Sequence, residues 1–163
     1  MFCPFINYEK KIGELLLKNK GVLSTSESCT GGLISSLLTD VSGSSEYIKS
    51  NFVTYSNEAK EKYLFVSTEI LNNYGAVSEQ TAKEMALGLL KQTNADYALG
   101  ITGIAGPTGG TKEKPVGLCY IGMADNQKVI VKKILMPSFL PRRFMKLCFA
   151  KKALFYMKEF LEV

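Results

Sequence analysis

The residues Glu27-Ser28-Cys29-Thr30-Gly31-Gly32 join a short β-prone run to a segment with helical spacing. A strand-to-helix junction gathers free backbone N–H groups and the positive end of a helix around the side chain at the turn, so a nucleophile and an oxyanion hole can share it. Ser28 is the hydroxyl nucleophile such a site would use, and Cys29 is its rival. The same residues also describe an ordinary capped turn. With no imidazole to ionise it, the Cys29 thiol reads more simply as a small buried hydrophobe.

The absence of histidine constrains the chemistry more than any residue present. It removes Ser-His-Asp and Cys-His systems, and it removes most zinc sites, which use imidazole unless four thiolates converge. No metal site is expected, and a base must come from Lys, Tyr, Asp, Glu or Cys. Tyr55-Ser56-Asn57-Glu58-Ala59-Lys60 supplies one at a second strand-to-helix boundary, with Tyr55 at the strand end and Lys60 one turn into the helix. A lysine can activate a serine, but an exposed amine titrates near 10.4, so working near neutral pH asks its surroundings for a shift of roughly 3 units, about 4 kcal/mol. Taken singly Lys60 reads as a solvated helix lysine, and only pairing with Ser28 would change that.

Two further groups could bind a ligand. Thr102-Gly103-Ile104-Ala105-Gly106-Pro107, followed by Gly109-Gly110 and Glu113-Lys114-Pro115, is a glycine-rich loop in which backbone can approach a ligand and successive N–H groups can form an anion nest. It is neither a Walker loop nor a dinucleotide fingerprint, because Gly-Lys-Ser/Thr and Gly-x-Gly-x-x-Gly are both missing. Arg142 and Lys146 lie one helical turn apart near a helix start and could meet a phosphate, or they form a basic solvent face. Lys151, Lys152 and Lys158 are assigned to solvent.

The elements that must hold these groups follow from periodicity. Residues 5 to 20 form an amphipathic helix closed by Gly21, residues 22 to 26 a strand, and 33 to 40 a helix. Residues 42 to 45 are a turn cluster, 47 to 55 a strand, and 58 to 63 a helix behind the caps Ser56 and Asn57. A short helix ends at Gly75, and Ser78 caps a longer one with Ala82, Met85, Ala86, Leu89 and Leu90 facing inward. Residues 96 to 102 are a buried strand, and the loop of about 13 residues after it is longer than structural loops usually run. Residues 116 to 124 and 128 to 135 flank Asp125-Asn126-Gln127 as a hairpin, and a last helix from 141 to 161 carries Phe144, Leu147, Ala150, Leu154, Met157 and Leu161 on one stripe. The fold class is α/β: a three-layer α/β/α sandwich on a mixed, mainly parallel sheet of about five strands, because helices between strands imply parallel crossovers and the late hairpin adds an antiparallel pair.

Composition sets the outer bounds. The 163 residues with 46% apolar content suit one domain spanning residues 1 to 163. Residues 1 to 11 lack a basic leader with a long apolar run, and no apolar stretch reaches the roughly 20 residues that cross a bilayer, so no membrane partner is expected. Cys3, Cys29, Cys119 and Cys148 are scattered, which fits reduced thiols in a cytoplasmic protein. The net charge of +5 lies mostly in the last third and suits a small phosphorylated ligand better than nucleic acid, since no aromatic-basic interleaving accompanies it.

Five blocks carry a resemblance: STSESCTGGLISSLLTD, GSSEYIKSNFVTYSNEAK, YGAVSEQTAKEMA, DYALGITGIAGPTGGTKEKPVG and the basic final helix. In order and spacing they resemble the CinA C-terminal domain family over about residues 10 to 160. Some members carry an additional N-terminal pyrophosphatase-like domain, and this chain is read as the stand-alone form. The resemblance implies an amidase that converts nicotinamide mononucleotide to nicotinic acid mononucleotide and ammonia in pyridine nucleotide recycling, without a cofactor, and that self-associates into a homo-oligomer. It also implies Ser28 as nucleophile, Lys60 as base, and active-site positions for Tyr55, Thr102 and Arg142, with Glu27, Thr30, Gly31 and Gly32 completing the pocket wall. The nucleotide phosphate is then expected at Arg142 and the loop around Gly103, Gly106, Gly109 and Gly110. Two departures stand out: a Gly-Asp-Arg usual before the last helix reads Leu140-Pro141-Arg142, and Ser26 stands where alanine is commoner. The alternative of another class is a nucleotide-binding module of the competence-damage-inducible type, without catalysis.

Overall fold

The structure, a computed structural model, describes residues 6–163. Cys3 and the first residue of the first expected helix, Phe5, lie outside the described residues. Among the described residues six helices and five strands follow in the order α1 (Tyr8–Asn19), β1 (Leu23–Glu27), α2 (Leu33–Thr39), β2 (Ile48–Val53), α3 (Asn57–Leu64), α4 (Thr68–Tyr74), α5 (Glu79–Thr93), β3 (Tyr97–Gly103), β4 (Leu118–Ala124), β5 (Val129–Leu135) and α6 (Arg142–Leu161). The sheet order is β2-β1-β3-β4-β5, with β2, β1 and β3 parallel and β4 and β5 antiparallel, which is the mixed sheet expected. The expected turn at 42 to 45 contains a single 3-10 turn at Ser44–Glu46.

Two apolar layers cover the sheet. On one face Ile12 and Leu16 of α1, Ile34 and Leu38 of α2, and Met145, Phe149 and Leu154 of α6 meet Leu99, Ile101, Ile121 and Met123. On the other, α5 and α3 place Met85, Ala86, Leu89 and Leu64 over Ala98 and Ala124. This second face is lined by small residues because α5 lies almost on the strands. A Cβ at Gly100 would stand 3.1 Å from the Met85 Cβ, and one at Gly122 only 2.2 Å from the Ala82 carbonyl oxygen. The contact between α3 and α5 is tighter still, since a Cβ at Gly88 would come within 1.7 Å of the Leu64 carbonyl oxygen. Residue 88 is therefore glycine for lack of space.

Three local expectations change. The helix α1 ends with Lys20, not Gly21, in the left-handed conformation (φ 52°), and Gly21 donates to the Leu16 carbonyl in the outer bond of a Schellman motif. Gly21 is small because a Cβ there would lie 2.6 Å from the Tyr97 ring. In α6 the inner face begins at Met145 and Phe149, leaving Phe144 and Leu147 52% and 37% exposed. Periodicity permits either phase over the first turns, and the packing of α1 and α2 against α6 selects this one. Lys151 does not point freely to solvent: it pairs with Glu9 at 2.8 Å and ties α6 to α1.

The parallel strands all end at one edge, and the candidate catalytic groups lie at those strand ends or in the segments that follow them. Ser28 follows β1, Tyr55 follows β2, and Thr102 is the penultimate residue of β3. Crevices at the carboxyl ends of parallel strands are the usual ligand sites of such sheets.

Candidate active site

At the end of β1 the chain turns sharply, and the Gly31 amide donates to the Ser28 carbonyl across a four-residue turn. Gly31 (φ 62°) and Gly32 (φ 97°) supply the left-handed conformations that bring the chain into α2. The Ser28 amide donates to Ile101 of β3, so the serine is fixed from both sides. Its Oγ lies 3.1 Å from the Nζ of Lys60. Lys60 belongs to α3, whose start is capped by the Ser56 hydroxyl accepting from the Ala59 amide, and its side chain runs inward with 1% of its surface exposed. The ammonium also donates to the Thr54 carbonyl at 2.9 Å and the Tyr55 carbonyl at 3.2 Å. Burial lowers its pKa from 10.5 to about 8, with the neighbouring Cys29 pulling the other way. No carboxylate bonds it among the described residues.

Around this pair lies a cavity of about 260 Å³. Cys29, Tyr55, Thr102, Gly103, Gly106, Gly109 and Arg142 line it with Ser28 and Lys60, as do Ala76, Val77 and Thr108. Thr102 donates its hydroxyl to the Ala76 carbonyl at 2.7 Å and so ties β3 to the turn before α5. The Arg142 guanidinium donates to the Gly106 carbonyl at 2.7 Å and to the Tyr55 hydroxyl at 3.1 Å, linking three separate segments across the rim. Ala76, Val77 and Thr108 are not singled out by residue type. They contribute wall and backbone, and their one sequence signal is the YGAVSEQ block ahead of α5.

Other expected site residues lie elsewhere. Glu27 is fully buried, and its carboxylate accepts five hydrogen bonds: the amides of Gly32, Ile34 and Ser35 and the hydroxyls of Thr30 and Ser35. It serves as an internal anion at the start of α2. Thr30, Gly31 and Gly32 line a neighbouring groove, and Gly110 is not among the residues lining the cavity. Glu27→Ala should lower unfolding free energy by about 3 kcal/mol or more, because it strands buried donors at a helix start. Denaturant titration reads this, and a loss below 1 kcal/mol would mean that water replaces the carboxylate at little cost.

Cys29, Cys119 and Cys148 are free thiols, and Cys119 is pushed up by burial. No group of three or more Cys, Asp or Glu side chains among the described residues is arranged to hold a metal ion, and no helix there is long and apolar enough to cross a membrane.

Fold and site together define an α/β/α domain with a buried serine–lysine pair at the carboxyl edge of its parallel strands. The family model of the CinA C-terminal domain matches residues 6–161, and the chain belongs to that family. Among curated relatives it is 61% identical over 116 residues to a CinA-like protein of Endomicrobium trichonymphae, covering 71% of this chain and 27% of that protein. It is 48% identical over 154 residues to a CinA-like protein of Chlorobium chlorochromatii, covering 93% and 36%. The chain thus spans about a third of the length of the curated relatives it matches. Among solved structures, the competence/damage inducible protein CihA from Agrobacterium tumefaciens superposes with a TM-score of 0.89 at 38% identity, covering 100% of this chain and 99% of that one. A CinA superfamily protein from Klebsiella pneumoniae does so at 0.90 and 28%, covering 95% and 96%.

Proposed function

We propose that the protein hydrolyses the carboxamide of a pyridine nucleotide, nicotinamide mononucleotide, to nicotinic acid mononucleotide and ammonia. The observation that carries an acyl-transfer reading is the 3.1 Å approach of Ser28 Oγ to a buried amine with a pKa of about 8. The choice of substrate follows the family resemblance.

A neutral lysine amine has two N–H bonds and one lone pair. The carbonyls of Thr54 and Tyr55 take the two N–H bonds, so the lone pair is left for the Ser28 hydroxyl. In the proposed route Lys60 takes that proton as Ser28 Oγ bonds to the carboxamide carbon. The amides of Cys29 and Thr30 engage no acceptor among the described residues and are the donors placed for the developing oxyanion, whereas the Gly31 amide is already used within the turn. Collapse breaks the C–N bond, and Lys60 returns the proton to the departing ammonia. Tyr55, whose hydroxyl accepts from Arg142 at the mouth, is the alternative source of that one proton. Water, deprotonated by Lys60, then opens the acyl-enzyme ester and restores Ser28. No step of this route calls on a metal or a redox cofactor.

The test is incubation with the mononucleotide and assay of both products. Ammonia and nicotinic acid mononucleotide should form in equal amounts, and Cys29→Ala should stay within roughly tenfold of the parent rate, since its thiol takes no part. Tight binding of the mononucleotide with no ammonia would overturn the reading in favour of a binding module, and a silent Cys29→Ala with normal fold would move the nucleophile one residue along the chain.

A further inference from the structure

We infer that the substrate's phosphate is held by Arg143 and Lys146, in a groove between the starts of α2 and α6 whose lining adjoins that of the cavity along the chain; this rests on the reading of the protein as a nucleotide amidase. Arg142 is otherwise committed, since its guanidinium already spans the Gly106 carbonyl and the Tyr55 hydroxyl. The next residues round the helix face a different space. A groove of about 480 Å³ has Gly31, Gly32 and Leu33 on one side and Arg143, Lys146 and Leu147 on the other. Its lining follows that of the cavity directly along the chain at two places: Cys29 lines the cavity and Thr30 the groove, and Arg142 lines the cavity and Arg143 the groove.

The groove is built around its two cations. The Lys146 ammonium stands 3.4 Å from where a Cβ on Gly31 would be, so the bare α-carbon there leaves space beneath the charge. Neither Arg143 nor Lys146 makes a hydrogen bond or ion pair among the described residues. The carboxylate nearest in sequence to the groove wall, Glu27, already accepts five hydrogen bonds. Two cations facing one groove without an anion repel each other, and a phosphate monoester dianion removes that repulsion while bonding to both. The distance suits a nucleotide. The end α-carbons of the turn from Ser28 to Gly31 lie under about 7 Å apart, which keeps the Lys146 ammonium beside Gly31 within reach of a ligand that starts at the reacting hydroxyl. The carboxamide at Ser28 and a phosphate beside Lys146 then occupy opposite ends of one molecule, with Leu33 and Leu147 flanking the sugar.

The prediction concerns discrimination between nicotinamide mononucleotide and its phosphate-free relative, nicotinamide riboside. The parent protein should favour the mononucleotide by about a hundredfold or more in kcat/KM, and Arg143→Ala/Lys146→Ala should lose most of that preference through a rise in the mononucleotide's KM that the riboside does not share. Lys146→Arg should keep the preference, because the charge remains. Binding measured by calorimetry in a Ser28→Ala background separates this inference from the amidase reading. There the double substitution should weaken mononucleotide binding by a similar factor, whether or not the parent protein turns it over. Undiminished mononucleotide affinity in the double variant, or a loss equal for riboside and mononucleotide, would overturn the assignment.

Discussion

Ser28→Ala should leave the protein folded and able to bind the mononucleotide while ammonia release falls by about 10⁴-fold or more, the scale of losing a nucleophile from a covalent mechanism. The fold has little reason to object. The serine hydroxyl borders the cavity, and the turn around it is held by backbone bonds from Ser28 to Ile101 and from Gly31 to Ser28. An intact melting transition beside abolished turnover would place the defect in the chemistry. Turnover within tenfold of the parent would remove Ser28 from the reaction and leave the strand end as an ordinary capped turn.

Lys60→Met should reduce kcat by about 10³-fold, within the range that general bases contribute, and it should also erase two pH dependences. The first is kinetic. With the neutral amine as the proposed active form and a pKa of about 8, the parent rate should rise about fivefold from pH 7 to pH 8 and at most about twofold more above it, whereas the residual rate of the variant should be flat. The second is thermodynamic. Burial lowers the amine's pKa in the folded chain from 10.5 to about 8, so between those values the unfolded chain binds more protons and stability rises with pH. Below about pH 8 the amine is charged in both states and that contribution is gone. It amounts to something on the order of 3 kcal/mol across the window. Unfolding free energies of parent and variant, measured from pH 7 to pH 10.5, should therefore diverge upward for the parent. Parallel curves would mean that the ammonium is well solvated in the fold and is no base at neutral pH.

Much of this arrangement is legible in the chain because the strong signals are local. Ser56, Ser67 and Ser78 cap their helices as their positions suggest, and the strands follow β-prone runs to within one or two residues. Pairing Ser28 with Lys60 needs only one topological step. Strands β1 and β2 are parallel neighbours, so the turn after one and the helix after the other must start side by side. What the residue string conceals is where polar groups spend their hydrogen bonds. Glu27 beside a candidate nucleophile looks like pocket wall, and nothing in its neighbours' spacing announces five donors closing on it. Arg142 and Arg143 are adjacent and identical in type, yet one bridges the cavity rim and the other faces a groove, because the rotation of α6 is decided by the packing of α1 and α2 and not by its own pattern. Main-chain acceptors such as the Thr54 carbonyl carry no residue signature at all.

Gly88 sits on the opposite side of the domain's logic from the reacting groups, yet it governs them. With no side chain there, α5 touches the backbone of α3 at Leu64, one turn beyond Lys60, so Lys60 is seated on a rigid shoulder instead of a cushion of side chains. Any larger residue at 88 would act as a wedge under that shoulder and tilt the amine against its serine. The spacing of Ser28 and Lys60 can thus be tuned, or spoiled, from a position outside the cavity that they line.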